Sequence, residues 1–100
     1  SGELRGDRQM PIKVTVLFLH RAGELVGDKH RITKLELSGN AILKDLVITI
    51  RDKINRRVGE GILSGRLWFN IIVDGVSISH LNYPLENGSR IVFLTPEMGG

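Results

Sequence analysis

The sequence predicts a small α+β domain in which a mixed sheet of about five strands wraps around one long helix. One segment places apolar residues at three- and four-residue steps, which is typical of an amphipathic helix. Several short segments before and after it have the alternation or continuous apolar character of strands. The chain has 100 residues, 41% hydrophobic and 25% charged, which fits one globular domain.

The first two strands are predicted on either side of a glycine-containing loop. Residues 12–20 place Val14, Val16 and Phe18 on one face, and Leu17 and Leu19 on the other. Residues 21–29 are expected to form a loop with a short helical turn. Residues 31–37 alternate between two faces and are predicted to form a hairpin with the first strand.

The helix is predicted over residues 43–58, after a break at residues 38–40. Its apolar positions form one stripe, which needs a sheet face to cover it. Gly59 and Gly61 are expected to end this helix. The stripe consists of Leu43, Leu46, Val47, Ile50, Ile54 and Val58.

Three more strands follow the helix in the prediction. Residues 66–74 form the third strand, Asp74 and Gly75 the turn, and residues 76–79 a short fourth strand. A tight turn at residues 86–89 precedes the last strand, residues 90–94. Two strands, one helix and three strands in this order are typical of the β-grasp roll.

The composition excludes several kinds of chemistry. The chain has no cysteine, so it has no disulfide, thiolate zinc site or cysteine nucleophile. Its formal net charge is only +3, and no apolar stretch approaches membrane-spanning length. A soluble cytoplasmic protein is therefore expected, with no membrane partner and no direct contact to nucleic acid.

The last two residues, Gly99 and Gly100, are the most informative for function. Glycine lacks a Cβ atom, so a terminal pair is thin enough to enter a narrow channel of another protein. Residues 96–100 are predicted to be a flexible tail after a domain at residues 11–95. Residues 1–10 are expected to be a flexible N-terminal segment or a tag remnant.

Four segments resemble the ubiquitin-like sulfur-carrier and modifier family. This family includes the small subunit of molybdopterin synthase, the thiamine-pathway sulfur carrier, the ubiquitin-related modifier of eukaryotes and the archaeal small modifiers. The most specific segment is the turn, strand and tail of residues 83–96 followed by the glycine pair. The other segments that carry the resemblance are residues 14–19, 23–32 and 42–47.

The resemblance implies a carrier that is not itself an enzyme. An activating enzyme of the ubiquitin-E1 type would use ATP to adenylate the Gly100 carboxylate. The acyl-adenylate would then become a thiocarboxylate that serves tRNA thiolation, or be joined to protein lysines. No cofactor is expected on this chain, since the partner enzyme binds the ATP. The resemblance also places a docking patch for that enzyme at Leu19, Ile78 and Leu94.

Two alternatives stay open beside this modifier branch. The first is a small subunit of molybdopterin synthase, which would donate sulfur in molybdenum cofactor biosynthesis and bind a large synthase subunit, although the chain is placed nearest the modifier branch. A function of another class is a β-grasp interaction module whose glycines are never activated. Deletion of Gly99 and Gly100 would leave partner binding intact only in the last case.

The remaining candidate features are expected to be structural. Three histidines lack the spacing and companions of a metal site. Trp68 is expected to be buried or partly buried. The arginines near the helix, namely Arg51, Arg56, Arg57 and Arg66, are expected to form a solvated face, because aromatic residues do not alternate with them. The outer sheet face is predicted to carry an apolar patch of Leu17, Leu19, Ile72, Ile78, Val92 and Leu94.

Overall fold

A computed structural model describes residues 10–96 of the protein. In chain order its elements are β1 (Ile12–Leu19), α1 (Arg21–Val26), a 3₁₀ turn (Asp28–His30), β2 (Ile32–Leu37), α2 (Leu43–Lys53), α3 (Arg56–Ser64), β3 (Asn70–Val73), β4 (Val76–Ile78) and β5 (Arg90–Leu94).

The five strands form one mixed sheet in the order β2-β1-β5-β3-β4. β1 and β5 run parallel in the centre, and the other neighbours are antiparallel. The predicted α+β class and ubiquitin-like β-grasp architecture are therefore confirmed. The parallel central pair matters for function, because it places the ends of β1 and β5 side by side.

One face of this sheet carries the core. Alternate residues of the two central strands, such as Val16, Phe18, Ile91 and Phe93, are almost completely buried. The rings of Phe18 and Phe93 stack at a centroid distance of 5.3 Å. The helices cover this face with Leu43, Leu46, Val47, Ile50, Val58 and Ile62.

The single long helix of the prediction is in fact two helices. The side chain of Asn55 accepts a hydrogen bond from the Val58 N–H at 2.9 Å and caps a new helix. Its amide group also donates to the Leu25 carbonyl at 3.2 Å, which ties α3 to α1. The apolar stripe thus continues across a corner, and both helices face the sheet.

Gly59 and Gly61 lie inside α3 rather than at a helix end, so their predicted role was wrong. A Cβ on Gly59 would lie 2.5 Å from the Arg51 Cα, because α2 and α3 approach each other closely there. The helix ends instead at Ser64 and is capped by Gly65, whose φ of 81° lies in the left-handed region that favours glycine.

Other boundaries differ modestly from the prediction. The loop after β1 forms α1 and the 3₁₀ turn, which is more helix than the single turn expected. β3 starts at Asn70 instead of residue 66, since the Leu67 N–H donates to the Gly61 carbonyl and not to a strand. The last strand has the predicted bounds.

Candidate functional site

The outer face of the sheet carries a row of apolar side chains that crosses four strands. Cα partners in the sheet register are Ile32 with Leu17, Leu17 with Val92, and Val92 with Ile72. Directly paired residues point to the same face, so these four side chains are neighbours. Leu17, Val92 and Ile72 are partly exposed, and Ile32 is 66% exposed.

A second, shorter row lies beside the first at the ends of the central strands. Leu19 pairs with Leu94, and Leu19 is 38% exposed. The chain leaves the sheet directly after Leu94, through the partly exposed Thr95 and Pro96. We call the six residues of the two rows the outer apolar patch: Leu17, Leu19, Ile32, Ile72, Val92 and Leu94.

Ile78 does not belong to this patch, which corrects its predicted place on the outer face. It pairs with Ile71, which is buried on the helix-facing side together with its own partner Phe93. Ile78 is itself partly buried and packs against the core. The face that Ile78 occupies depends on the residue at which the short β4 begins, and the sequence does not show that residue.

Ile32 is the member of the patch that the sequence analysis missed. It begins β2 and shares a face with the charged Lys34 and Glu36, so its own strand appears polar on that side. Only the pairing of Ile32 with Leu17 shows that it extends an apolar row. The available signal was therefore a cross-strand contact, which the β2 sequence alone does not contain.

The other end of the outer face is polar and mainly basic. Lys34 pairs with Thr15, and Thr15 pairs with Arg90, so two cations flank a threonine in the row next to the apolar one. Lys13 pairs with Glu36 one row further. The outer face thus changes from apolar at the tail end to charged at the opposite end.

A small polar network fixes the start of β5. Asp74 accepts hydrogen bonds from the Arg90 N–H at 2.9 Å and from the hydroxyl of Ser89 at 3.1 Å. The Ser89 side chain is 3% exposed and also accepts from the Glu86 N–H at 2.9 Å. The buried hydroxyl therefore has hydrogen-bond partners. The same contacts hold the backbone at the start of β5 and so set the register that brings Val92 and Leu94 into the patch.

A strained residue borders the patch where β1 ends. His20 has φ 55° and ψ −130°, a combination that residues with a Cβ rarely adopt. Its carbonyl accepts the Gly23 N–H at 3.0 Å, which helps to begin α1. The strain ends β1 directly after Leu19, which places Leu19 at the rim of the outer face.

The arginines of the helical layer do not form a free basic surface. Arg51 donates to Asp52 at 2.8 Å, and Arg56 donates to Glu60 at 3.3 Å. The hydrogen bond from Arg51 is the main reason that the pKa of the Asp52 carboxyl is lowered from its usual range. Two of the four candidate cations are therefore paired, as expected for a solvated face.

Trp68 is 66% exposed, so the expectation that it is buried or partly buried was wrong. It precedes the buried Phe69, in a segment that is not part of β3. Trp68 lines a surface groove of about 240 Å³ beside β4, together with Ile78 and His80. The indole thus contributes to the surface rather than to the core.

Among residues 10–96, no group of three or more histidine, aspartate or glutamate side chains is arranged to hold a metal ion. None of their helices has the length and apolar character needed to cross a lipid bilayer. The predicted reactive residues Gly99 and Gly100 lie outside the described residues, as do residues 1–9.

Comparison with solved structures places this fold among small ubiquitin-like proteins. SAMP1 from Haloferax volcanii superposes with a TM-score of 0.70 at 16% identity, over 88% of this chain and 99% of that one. A putative molybdopterin converting factor, subunit 1, from Pyrococcus furiosus gives 0.64 at 21% identity, over 86% and 99%. Urm1 from Trypanosoma brucei gives 0.60 at 20% identity, over 90% and 97%.

These three structures belong to the branches that the sequence segments resemble, so the predicted resemblance is confirmed at the level of the fold. No protein-family model matches the sequence, and a comparison with curated proteins finds no match either. The likeness to these proteins is thus one of fold, at low sequence identity.

Proposed function

We propose that this protein is a ubiquitin-like sulfur carrier or protein modifier whose reactive group is the Gly100 carboxylate. The observation that carries the proposal is the position of the outer apolar patch at the end of β5. The chain continues from Leu94 in that patch toward the glycine pair within six residues. A partner that covers the patch would therefore receive the tail as well.

The chemistry would be carried out by the partner and not by this chain. A carboxylate is a poor electrophile, so an E1-like enzyme would first let it attack the α-phosphate of ATP and release pyrophosphate. Hydrosulfide would then attack the acyl carbon, displace AMP and leave a thiocarboxylate. A lysine amine that attacks the activated carbonyl would instead give an isopeptide bond.

The outer apolar patch is suited to docking rather than to catalysis. Scattered exposed apolar residues are ordinary, but six in two adjacent rows of one sheet face form a contiguous surface. Lys34 and Arg90 lie in the next row, so the surface fits a partner with an apolar centre and acidic residues on one side.

The length of the tail limits the distance between the docking patch and the activating site of the partner. The six residues that follow Leu94 in the patch, fully extended, span at most about 22 Å. The activating site of the partner would therefore lie within that distance of the docking patch. Glycine has no side chain, so Gly99 and Gly100 could enter a narrow passage to the nucleotide that larger residues would block.

We place the chain nearest the modifier branch, with a tRNA thiolase or protein lysines as recipients. The likeness to the converting factor subunit from Pyrococcus furiosus supports a second candidate role, in which the protein donates sulfur in a complex with a large synthase subunit. The two roles share the thiocarboxylate and differ in the acceptor, so identification of the acceptor distinguishes them.

The proposal is tested by ATP–pyrophosphate exchange with the E1-like enzymes of the source organism. The full chain should stimulate exchange, and a chain that lacks Gly99 and Gly100 should not. Because the core of the described residues lies within residues 12–93, circular dichroism of the shortened chain should be unchanged. Exchange that survives the deletion would contradict the proposal, and a full chain that stimulates no exchange would contradict it in favour of the interaction module.

A matched pair of variants tests the docking patch separately. The double variant Leu19→Ala/Leu94→Ala should raise the KM for this protein in exchange by about tenfold or more, as expected for truncation of two interface residues. Val76→Ala removes another exposed apolar side chain, 54% exposed, away from the patch. It should leave the KM unchanged. Equal effects of both changes would rule out the patch as the docking site.

A further inference from the structure

β2 is an edge strand, and within residues 10–96 one of its sides has no backbone partner. It is the first strand in the sheet order, and its only sheet neighbour among these residues is β1. The Phe18 N–H donates to the Arg31 carbonyl at 2.8 Å, which fixes the alternation of backbone groups along β2. Residues of odd number direct their backbone groups toward β1.

The even-numbered residues of β2 therefore direct theirs to the free edge. Ile32, Lys34 and Glu36 each present an N–H and a C=O there, and the side chains of all three are exposed. Such an edge is a template for one more strand. The side chains on this edge determine which strand can pair with it.

Lys34 and Glu36 lie two residues apart, so they point to the same face of the sheet. Within the described part of the chain neither forms an ion pair, although Glu36 pairs in register with Lys13. The two charges line a shallow depression at the edge together with Lys13 and Leu35. Opposite charges at this spacing make the strand self-complementary when it is reversed.

We propose that the free edge of β2 pairs with β2 of a second copy of this chain, antiparallel and with a two-fold axis at Leu35. In that register Lys34 lies opposite Glu36 of the second copy, and Glu36 lies opposite Lys34. Both positions direct their backbone groups outward, so each pair exchanges two hydrogen bonds. The two sheets then form one continuous sheet of ten strands.

The charges also select this register against its neighbours. A shift of one strand residue in either direction brings inward-directed backbone groups to the interface and loses the hydrogen bonds. The next allowed shifts place Lys34 opposite Lys34, or Glu36 opposite Glu36, and like charges in direct opposition are destabilising. One register therefore combines hydrogen bonding with attraction.

The interface is small, which determines the strength of the dimer. It pairs five residues of each strand, 33–37, and leaves the outer apolar patch uncovered, so its area falls in the class of weak, reversible contacts. The dimer should form at high protein concentration and weaken with salt, because its ion pairs are exposed. This inference is independent of the proposed activation of Gly100.

Analytical ultracentrifugation of the full chain and of charge variants tests the proposal. The unchanged protein should shift toward twice the monomer mass as its concentration rises. Lys34→Glu alone, or Glu36→Lys alone, replaces both attractive pairs by repulsive ones. Each should weaken dimerisation by about tenfold or more. An equimolar mixture of the two variants should recover dimers, because every cross-strand pair is then opposite in charge.

Two controls make the result specific. The double variant Lys34→Glu/Glu36→Lys exchanges the charges and should dimerise like the unchanged chain. Lys44→Glu makes the same charge change on the exposed side of α2 and should have no effect. Slowed amide exchange at Lys34 and Glu36 as the protein concentration rises would map the contact to the edge.

The proposal is overturned if the unchanged chain stays monomeric at millimolar concentration, since the edge charges would then only protect against pairing. It is also overturned if a dimer forms but is insensitive to Lys34→Glu and Glu36→Lys. Dimers with slowed exchange at the outer apolar patch instead of β2 would assign the contact to that face.

Discussion

The two faces of the sheet use the same strands for different purposes. Phe93 and Leu94 are consecutive residues of β5, yet Phe93 is completely buried against Phe18 and Leu94 is partly exposed beside Leu19. The inner face holds the helices, and its apolar residues are required for folding. The outer apolar patch has no such task within residues 10–96, which leaves it available for a partner.

The largest difference should come from truncation of these two neighbours. Phe93→Ala should lower the free energy of unfolding by about 3–5 kcal/mol, because it removes a buried ring and leaves a cavity. Leu94→Ala should lower it by about 1 kcal/mol or less. Urea denaturation followed by circular dichroism measures both. Similar losses for the two variants would mean that the outer face also supports the core.

The helical layer that covers the inner face depends on close packing at Gly59. Gly59→Ala should lower the free energy of unfolding by about 1–3 kcal/mol, since the new methyl group meets the backbone of Arg51. An exposed helical glycine would show the opposite sign, because alanine favours helices. Stabilisation by Gly59→Ala in the same denaturation experiment would therefore show that α2 and α3 are not in close contact.

Ile78 provides a direct test of the corrected face assignment. Ile78→Ala should reduce the free energy of unfolding by about 1–2 kcal/mol, because this partly buried side chain packs on the core. The same variant should leave the KM for this protein in the exchange assay unchanged. A raised KM with unchanged stability would return Ile78 to the docking surface.

The boundary between the two faces at His20 should respond in the opposite direction. His20→Gly relieves a backbone conformation that costs about 1 kcal/mol or more for a residue with a Cβ, so the thermal midpoint should rise. His20→Ala keeps the Cβ and the strain and serves as the control. If both variants change the midpoint equally, the effect comes from the imidazole and not from the backbone.

The smallest effect concerns the exposed ion pair of α2. Asp52 has a lowered pKa, so its interaction with Arg51 contributes stability above the usual aspartate range and loses it as pH falls through the lowered value. Arg51→Ala should bring the pKa of Asp52 back toward its ordinary range in an NMR titration. No change in that titration would mean that the pair does not form in solution.

The sheet was more predictable than the helical layer for a physical reason. Strand residues such as Val14, Val16 and Phe18 repeat with a period of two, and that period survives whatever lies next to them. The apolar stripe of a helix also continues where the chain turns from α2 into α3. The sequence therefore predicts apolar residues in both helices but not the break between them at Asn55. Asn55 is a favourable N-cap, but the apolar periodicity continues through it.

The candidate site was only partly predictable because it depends on register. Leu19 and Leu94 end strands whose faces are clear in the sequence, and the structure brings them together. Ile78 belongs to a strand of three residues, where a shift of one position exchanges the faces. Ile32 joins the patch only through its neighbour on β1. Contacts between strands, and not patterns within one strand, decide such positions.

The intact mass of the protein purified from its native source decides whether Gly100 is the reactive residue. If it is, the spectrum should contain a form in which one oxygen of the C-terminal carboxylate is replaced by sulfur, or species joined from Gly100 to lysines by isopeptide bonds. An unaltered free carboxylate under all growth conditions would contradict this role of Gly100.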